Sequence, residues 1–207
     1  MKTGRRDEIV DAAMVLAREK GLDAVSMRAV AGRLDLTPMA LYGYFRGKDD
    51  LLDAIVGRLL GLLPEPDPAV PPLDRLRLLA GGVRVLAQEH PAVVTLLFTR
   101  PSVTEDAVLA VDRIYQALLD AGVPDARVAR LERLLTTFVL GFVISETQGR
   151  FSDGNRDMRS RRALLGPEEL PAHHRLGPLL DPEVDWDAEF DADLADLVAV
   201  IERAAAG

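Results

Sequence analysis

An all-α fold follows from three features of the 207-residue chain. Apolar residues recur every three or four positions through most of its length. No run alternates at the period of two that a half-buried strand needs, and the breaks between periodic segments fall at proline and glycine. These features predict a three-helix N-terminal unit containing a helix-turn-helix, followed by a larger helical bundle. The boundaries are residues 1–48 for the first unit, with a linking helix running to about 63, and 49–207 for the second.

The first helix spans Arg5 to Lys20, with Ile9, Ala12, Ala13, Leu16 and Ala17 as its apolar stripe and Gly21 as its stop. Ser26 is placed to cap the second helix, with Val25 before it as a hydrophobic staple and Val30, Ala31 and Leu34 as its inner face. Asp35 suits the left-handed turn that follows. Thr37 then caps a third helix, and Pro38 fits its first position, where a missing amide costs nothing. Leu41 and Phe45 form an inward i, i+4 pair, which leaves Thr37, Met39, Ala40, Gly43 and Tyr44 on other faces. A side so rich in hydroxyls and small residues can approach base edges and phosphates closely. Gly43 reads as a mid-helix glycine, whose cost of roughly 1 kcal/mol against Ala calls for compensation by close approach to DNA.

Leu51, Leu52, Ile55, Val56, Leu59 and Leu60 carry the linking helix, which Pro64, Pro66, Pro68, Pro71 and Pro72 end in a stiff connector. Further helices are expected at about 73–89, 91–99, 104–121, 124–149 and 190–205, divided by Pro91, Pro101 and Gly122-Val123-Pro124. Between 150 and 189 the pattern is least regular. That stretch opens with Arg150, Arg156, Arg159, Arg161 and Arg162 and passes through Pro171-Ala172-His173-His174. It leads into an acidic run, Asp181 to Asp196, that contains no basic residue. The arginines read as a solvated loop in preference to a second nucleic-acid site.

Composition narrows the function classes. The chain has no Cys, which excludes disulfides and thiolate metal or nucleophile sites. No apolar run reaches the roughly 18–20 residues of a membrane span, and no signal-peptide core opens the chain, so a cytoplasmic protein without membrane contact is expected. The net charge of −8 looks wrong for a DNA binder until the chain is divided at residue 60. The first part carries 10 basic against 9 acidic residues, the rest 15 against 24. Affinity for DNA therefore has to come from a few placed cations, with Arg5, Arg6, Arg28, Arg33, Arg46 and Lys48 as candidates. His90, His173 and His174 are the only histidines, with no Glu-x-x-His pair, and Gly81-Gly82 lacks the Lys-Ser/Thr of a phosphate loop. Neither a metal, a cofactor nor an enzymatic constellation is expected.

Leu41-Tyr42-Gly43-Tyr44-Phe45, followed by Lys48 and by Asp49-Asp50-Leu51-Leu52, makes residues 5–60 resemble the DNA-binding domain of the TetR family of transcriptional regulators. Asp35 stands where that family usually has Gly, and Gly43 is a second departure. More loosely, the long polar connection before a last helix beginning Phe-x-x-x-Leu is similar to the tetracycline-repressor-like branch. The resemblance implies a homodimeric, ligand-released repressor bound to double-stranded operator DNA, with an effector of unknown identity. Arg28, Thr37, Pro38 and Met39 are placed for base edges; Ser26, Tyr42, Tyr44 and Lys48 for phosphates. For the effector pocket the expected residues are His90, Phe98, Tyr115, Thr137, Phe138, Phe142 and Glu146, with Leu96, Leu118, Thr136, Arg100 and Gln116 as further candidates. Pro64 replaces an expected pocket histidine, which argues against a metal–tetracycline chelate.

The family's four-helix bundle across a two-fold axis implies a dimer interface of Leu131, Leu135, Phe142, Leu194, Leu197, Val198 and Ile201. The over-wide apolar surface of residues 128–143 fits it. A central helix of a monomer is the alternative for that segment. For the whole chain the alternatives are a helix-turn-helix module without DNA binding and a small helical enzyme.

Overall fold

The computed structural model describes residues 4–100, 103–150, 159–160 and 162–206, and every regular element among them is helical. Helices α1 (Arg5–Lys20), α2 (Met27–Arg33) and α3 (Pro38–Tyr42) make the N-terminal head, with a single 3-10 turn, Leu22–Ala24, between the first two. Helix α4 (Lys48–Leu60) joins the head to a bundle of α5 (Pro72–Glu89), α6 (Thr95–Thr99), α7 (Glu105–Asp120), α8 (Asp125–Thr147), α9 (Pro171–Leu180) and α10 (Trp186–Ala205). Residues 159–160 and 162–164 are helical as well.

The local signals in the head produce the expected geometry. The Ser26 hydroxyl accepts from the Ala29 amide at 3.2 Å and that of Thr37 from Ala40 at 3.3 Å. Asp35 turns the chain at φ 55°. It is the only described non-glycine residue with positive φ, a conformation in which the short carboxylate is better tolerated than most side chains. Leu41 and Phe45 are buried, as are Val25 and Val30 on either side of the α2 cap.

Several boundaries differ from the sequence expectation. Helix α4 stops at Leu60, and only turn-type bonds, Leu62 N–H to Leu59 and Leu63 N–H to Leu60, carry the chain to 63. The segment after Pro91 begins as turns bonded back to the His90 carbonyl and becomes helix only at Thr95. Helix α10 starts at Trp186, ahead of Phe190, because Asp185 caps it by accepting from the amides of Asp187 and Ala188. Helix α9 lies inside the segment expected to be irregular. Pro171 occupies its first turn, where proline is compatible with helix, and Pro178 falls near its end, so neither prevents it.

One continuous core runs from Ile9 in α1 through Leu51, Ile55 and Leu59 in α4 to Ile201 in α10. Each fully buried Leu or Ile in it contributes about 1.5–3 kcal/mol. Head and bundle therefore share a spine.

The start of α10 is fastened by Arg84 of α5. Its guanidinium donates to Glu146 of α8 at 2.6 and 3.1 Å, and its Nη2 lies 2.6 Å from Asp187. It also lies 5.0 Å from the ring centre of Phe190 and 5.7 Å from that of Phe142. Hydrogen bonding to Glu146, then to Asp187, holds the guanidinium above its ordinary pKa. Around it Phe138, Phe142, Phe190 and Trp186 pack as an aromatic cluster with ring centres 5.0–6.4 Å apart.

This packing sets where the expected interface residues lie within the single chain. Leu131, Leu135, Phe142, Leu194, Val198 and Ile201 are all buried within the single chain, and Leu197 is half-buried. The faces of α8 and α10 with the strongest apolar stripes pack in the chain's own core. What these helices present to solvent is Arg130, Arg133, Leu134 and Thr137 on α8, and Asp193, Asp196, Val200 and Arg203 on α10. Of the arginines after α8, Arg159 and Arg162 pair with Asp181 at the end of α9. Arg156 and Arg161 lie outside the described residues.

Candidate functional site

The expected DNA-contact residues of the head are open to solvent, with one partial exception. Thr37, Pro38, Met39, Tyr42, Tyr44, Arg28 and Lys48 are all solvent-exposed, and Ser26 is half-buried as a cap. Met39 is 76% exposed and Tyr42 50%, high values for large side chains beside a well-packed core. Burying such surface against a partner is favourable, and nothing in the head buries it.

Gly43 does not sit in a helix interior. Helix α3 ends at Tyr42, and Gly43 is the C-cap at φ −72°, ψ −18°, after which the Tyr44 and Phe45 amides both bond to the Leu41 carbonyl. A Cβ there would rest 3.4 Å from the Ala40 carbonyl oxygen. The mid-helix penalty expected from the sequence does not arise.

The candidate cations divide into two groups. Arg33 makes a bidentate pair with Glu19 at 2.7 and 2.8 Å, which holds the Glu19 carboxyl below its usual pKa, and Arg5 pairs with Glu8 at 2.7 Å. Arg6 is positional: it donates to the Tyr44 carbonyl at 2.7 Å, lies 4.3 Å over the Phe45 ring and approaches Asp50 at 3.9 Å. It thereby ties α1 to the turn after α3. Arg28, Arg46 and Lys48 make no ion pair within the described part of the chain and remain available to an external anion.

Helix α4 connects the head to the bundle. At its start, Arg100, just after α6, donates to Asp53 at 2.7 Å, to the Asp49 carboxylate at 3.2 Å and to the Asp49 carbonyl at 3.1 Å. The bond to Asp53 is the main reason this guanidinium is held above its ordinary pKa. Farther along, Gly57 lies so close to α7 that an added Cβ would be 2.6 Å from the Thr104 hydroxyl. Leu60 and Leu63 then reach a cavity of about 240 Å³ inside the bundle.

The cavity is walled by five helices. Leu79, Ala80 and Val83 come from α5, Leu97 from α6, Ala110, Val111 and Ile114 from α7, and Leu135, Val139 and Leu140 from α8, in addition to Leu60. Its polar groups are Glu132 and Thr136. Of the sequence candidates Thr136 alone lines it. Phe98 is exposed, Thr137 faces solvent, and His90 caps α5. Glu146 is taken by Arg84, and Phe138 and Phe142 belong to the aromatic cluster. Tyr115, Gln116, Leu96 and Leu118 lie outside the lining, and Arg100 is bound to α4. Sequence reasoning missed Glu132, whose one signal was its helical spacing from Val128, Leu135 and Val139, which places it on the inner face of α8.

Residues 9–55 match the model of bacterial regulatory proteins of the tetR family, and residues 68–203 match that of the tetracyclin repressor-like C-terminal domain. An HTH-type transcriptional regulator of Saccharopolyspora erythraea is 31% identical over 198 residues, covering 94% of this chain and 83% of that one. The HTH-type transcriptional repressor KstR of Mycolicibacterium smegmatis is 29% identical over 184 residues, 81% of this chain and 90% of its own. Among solved structures, ActR of Streptomyces coelicolor in complex with actinorhodin superposes with a TM-score of 0.82 at 25% identity, over 97% of this chain and 96% of that one. The capped helix-turn-helix and the helical bundle behind it are thus the two halves of one known architecture, and the chain belongs to the tetR family of bacterial regulatory proteins.

Proposed function

We propose that this regulator is a cytoplasmic, homodimeric repressor whose residues 1–48 bind operator DNA and whose residues 49–207 dimerise and hold a small-molecule effector that releases the DNA. One observation carries the reading: a single helix, α4, begins beside the exposed residues of the head and ends in the wall of the bundle's cavity. Arg28, Thr37, Pro38 and Met39 read base edges; Ser26, Tyr42, Tyr44 and Lys48 hold phosphates. Filling the cavity presses on Leu60 and Leu63, and α4 carries the displacement to the head. The effector releases DNA to the extent that it binds better to the arrangement in which two heads no longer match two grooves. The pairing of ActR with actinorhodin supports a small-molecule effector for this architecture.

The dimer is formed by the outward faces of α8 and α10. Arg130, Arg133 and Leu134 of one copy meet Asp193, Asp196 and Val200 of the other. The arginines and aspartates complement each other, and Leu134 and Val200 supply the apolar contact. No catalytic step is assigned to the protein.

The test is binding of the full chain to the intergenic DNA beside its own gene, followed by footprinting. Two protected half-sites about one helical turn apart, roughly 34–36 Å, are expected. No binding there, together with no consensus from selection on random duplexes, would leave a helix-turn-helix module without DNA as the better account.

A further inference from the structure

Glu132 is 9% exposed, and its neighbours in the cavity are Leu, Val, Ile and Ala side chains from five helices. Its carboxylate has one hydrogen-bond partner among the described residues, the Thr136 hydroxyl at 3.2 Å from Oε1. That hydroxyl has a single proton and three acceptors to choose from. The Glu132 backbone carbonyl is nearer, at 3.0 Å, and the Arg133 carbonyl lies at 3.4 Å. At most a shared donor therefore serves the carboxylate, and among the described ion pairs Glu132 takes part in none.

The same helix shows what satisfaction looks like. Glu146 receives both arms of Arg84 and lies 3.5 Å from the Gln88 amide nitrogen. Glu132 is mostly buried, its second carboxylate oxygen keeping slight contact with solvent, so part of its hydration is lost without such a partner, and that cost falls when a cation arrives. No group of three His, Cys, Asp or Glu suited to a metal ion exists among the described residues, and the apolar wall favours a cation that carries its own apolar body. The rest of the wall accepts only apolar surface, which limits the ligand to one polar end. An apolar cavity of about 150 Å³ takes one benzene. The 240 Å³ here therefore admits a ring with a short chain.

We propose that the cavity binds a small lipophilic primary amine, its ammonium on the Glu132 carboxylate and the Thr136 hydroxyl oxygen and its apolar body among Leu79, Val83, Ile114 and Val139. This rests on the reading that the cavity is the effector site. It goes beyond that reading by fixing the ligand's charge and the group that anchors it.

Three probes of similar size separate the terms: 4-phenylbutylamine, pentylbenzene and 4-phenylbutyrate, titrated calorimetrically into the full-length protein. The amine is expected to bind at least about tenfold more tightly than the hydrocarbon, and the carboxylate not measurably. Glu132→Gln, which keeps the shape, should bring the amine down to the hydrocarbon's level and leave the hydrocarbon unchanged or tighter. Thr136→Val, read in parallel, should retain the amine preference, and with the wild type it decides the matter if Glu132→Gln does not fold. Hydrocarbon binding equal to amine binding in the wild type, or an amine preference that survives in Glu132→Gln, would overturn Glu132 as anchor while leaving the cavity a ligand site. Failure of all three probes to bind would overturn both this assignment and the cavity as effector site.

Discussion

At its N-terminal end α4 is gripped by the buried side of Arg100, whereas its C-terminal end is held mainly by apolar side chains and one close backbone approach, with an exposed Arg58–Asp11 pair at 3.3 Å beside them. Around the first turn, Arg100 holds Asp53 and Asp49, and the Arg46 amide donates to Asp50 at 2.9 Å. Around the last, Leu59 is buried, Leu60 and Leu63 face the cavity, and Gly57 abuts Thr104. Charge-assisted hydrogen bonds are short and directional, so they fix the angle at which the helix enters the head. Apolar packing is non-directional, and its energy follows the volume that is filled. A ligand in the cavity thus acts on the end that can adjust, and its effect is delivered at the end that cannot.

The largest effect is expected at the one tight contact of the C-terminal end, where Gly57 meets Thr104. Gly57→Ala places a Cβ 2.6 Å from the Thr104 hydroxyl and 3.0 Å from its Cβ, so α4 and the start of α7 have to part. Overpacking of this kind costs about 1–3 kcal/mol. Because Thr104 also caps α7, accepting from Ala107 at 3.3 Å, its displacement weakens that cap too. Thr104→Gly removes the obstructing side chain at a cost of a few tenths of a kcal/mol, since glycine is an acceptable cap. In a double-mutant cycle followed by urea unfolding the two changes should couple favourably by at least about 1 kcal/mol. Additive losses would mean that the close approach at Gly57 is incidental and that the two ends of α4 differ less than proposed.

The head and the cavity were unequally legible in the sequence. Ser26, Asp35, Thr37 and Pro38 act on backbone within three or four residues of themselves, so their geometry can be read from neighbours alone. Leu41 and Phe45 likewise declare an inner face by spacing. The cavity is assembled from residues as far apart as Leu60 and Leu140, each of which carries the same signal as a core leucine. Whether a stripe faces a neighbouring helix, a void or a second copy depends on tertiary packing, which a helical period does not encode. For that reason the stripe of Leu194, Val198 and Ile201 reads as an interface by period, while in the single chain these residues are buried. Glu146 and Glu132 show the same limit in polar residues. Both are carboxylates on α8, and the position of Arg84 on α5 distinguishes the paired one from the one that faces the cavity.

A somewhat smaller change is expected at the charged end. Arg100→Ala removes the partner of Asp53, a carboxylate only about a quarter exposed, and should cost about 1–2 kcal/mol, the range of a charge-assisted hydrogen bond with partial solvent access. The loss should be local. Hydrogen exchange should speed up at the amides of residues 51–54 and stay near wild type at 57–60, because the apolar packing there is untouched. Arg100→Lys should recover only part of it, since an ammonium cannot reach two carboxylates and a carbonyl as a planar fork does. Uniformly faster exchange along all of α4 would show that the ends are not separately held.

Smallest in stability, yet visible in binding, is Lys48→Ala. Lys48 opens α4 one residue before Asp49, and its exposed ammonium has no carboxylate partner among the described ion pairs, whereas Arg100 in the same region is fully engaged. Removing an unengaged surface charge should change unfolding free energy by no more than about 0.5 kcal/mol. If Lys48 holds a phosphate, its loss should weaken binding to every DNA sequence alike and lower the slope of log affinity against log salt by about 1. Arg100→Ala, by contrast, should leave that slope unchanged, because its guanidinium is spent inside the protein. Titrations of both variants at several salt concentrations, on an operator and on unrelated DNA, read the difference directly. A Lys48→Ala loss confined to the operator would move the residue from phosphate holding to base reading. An unchanged slope would leave Arg28 and Arg46, the other cations of the head without an internal ion pair, as the groups that meet the backbone.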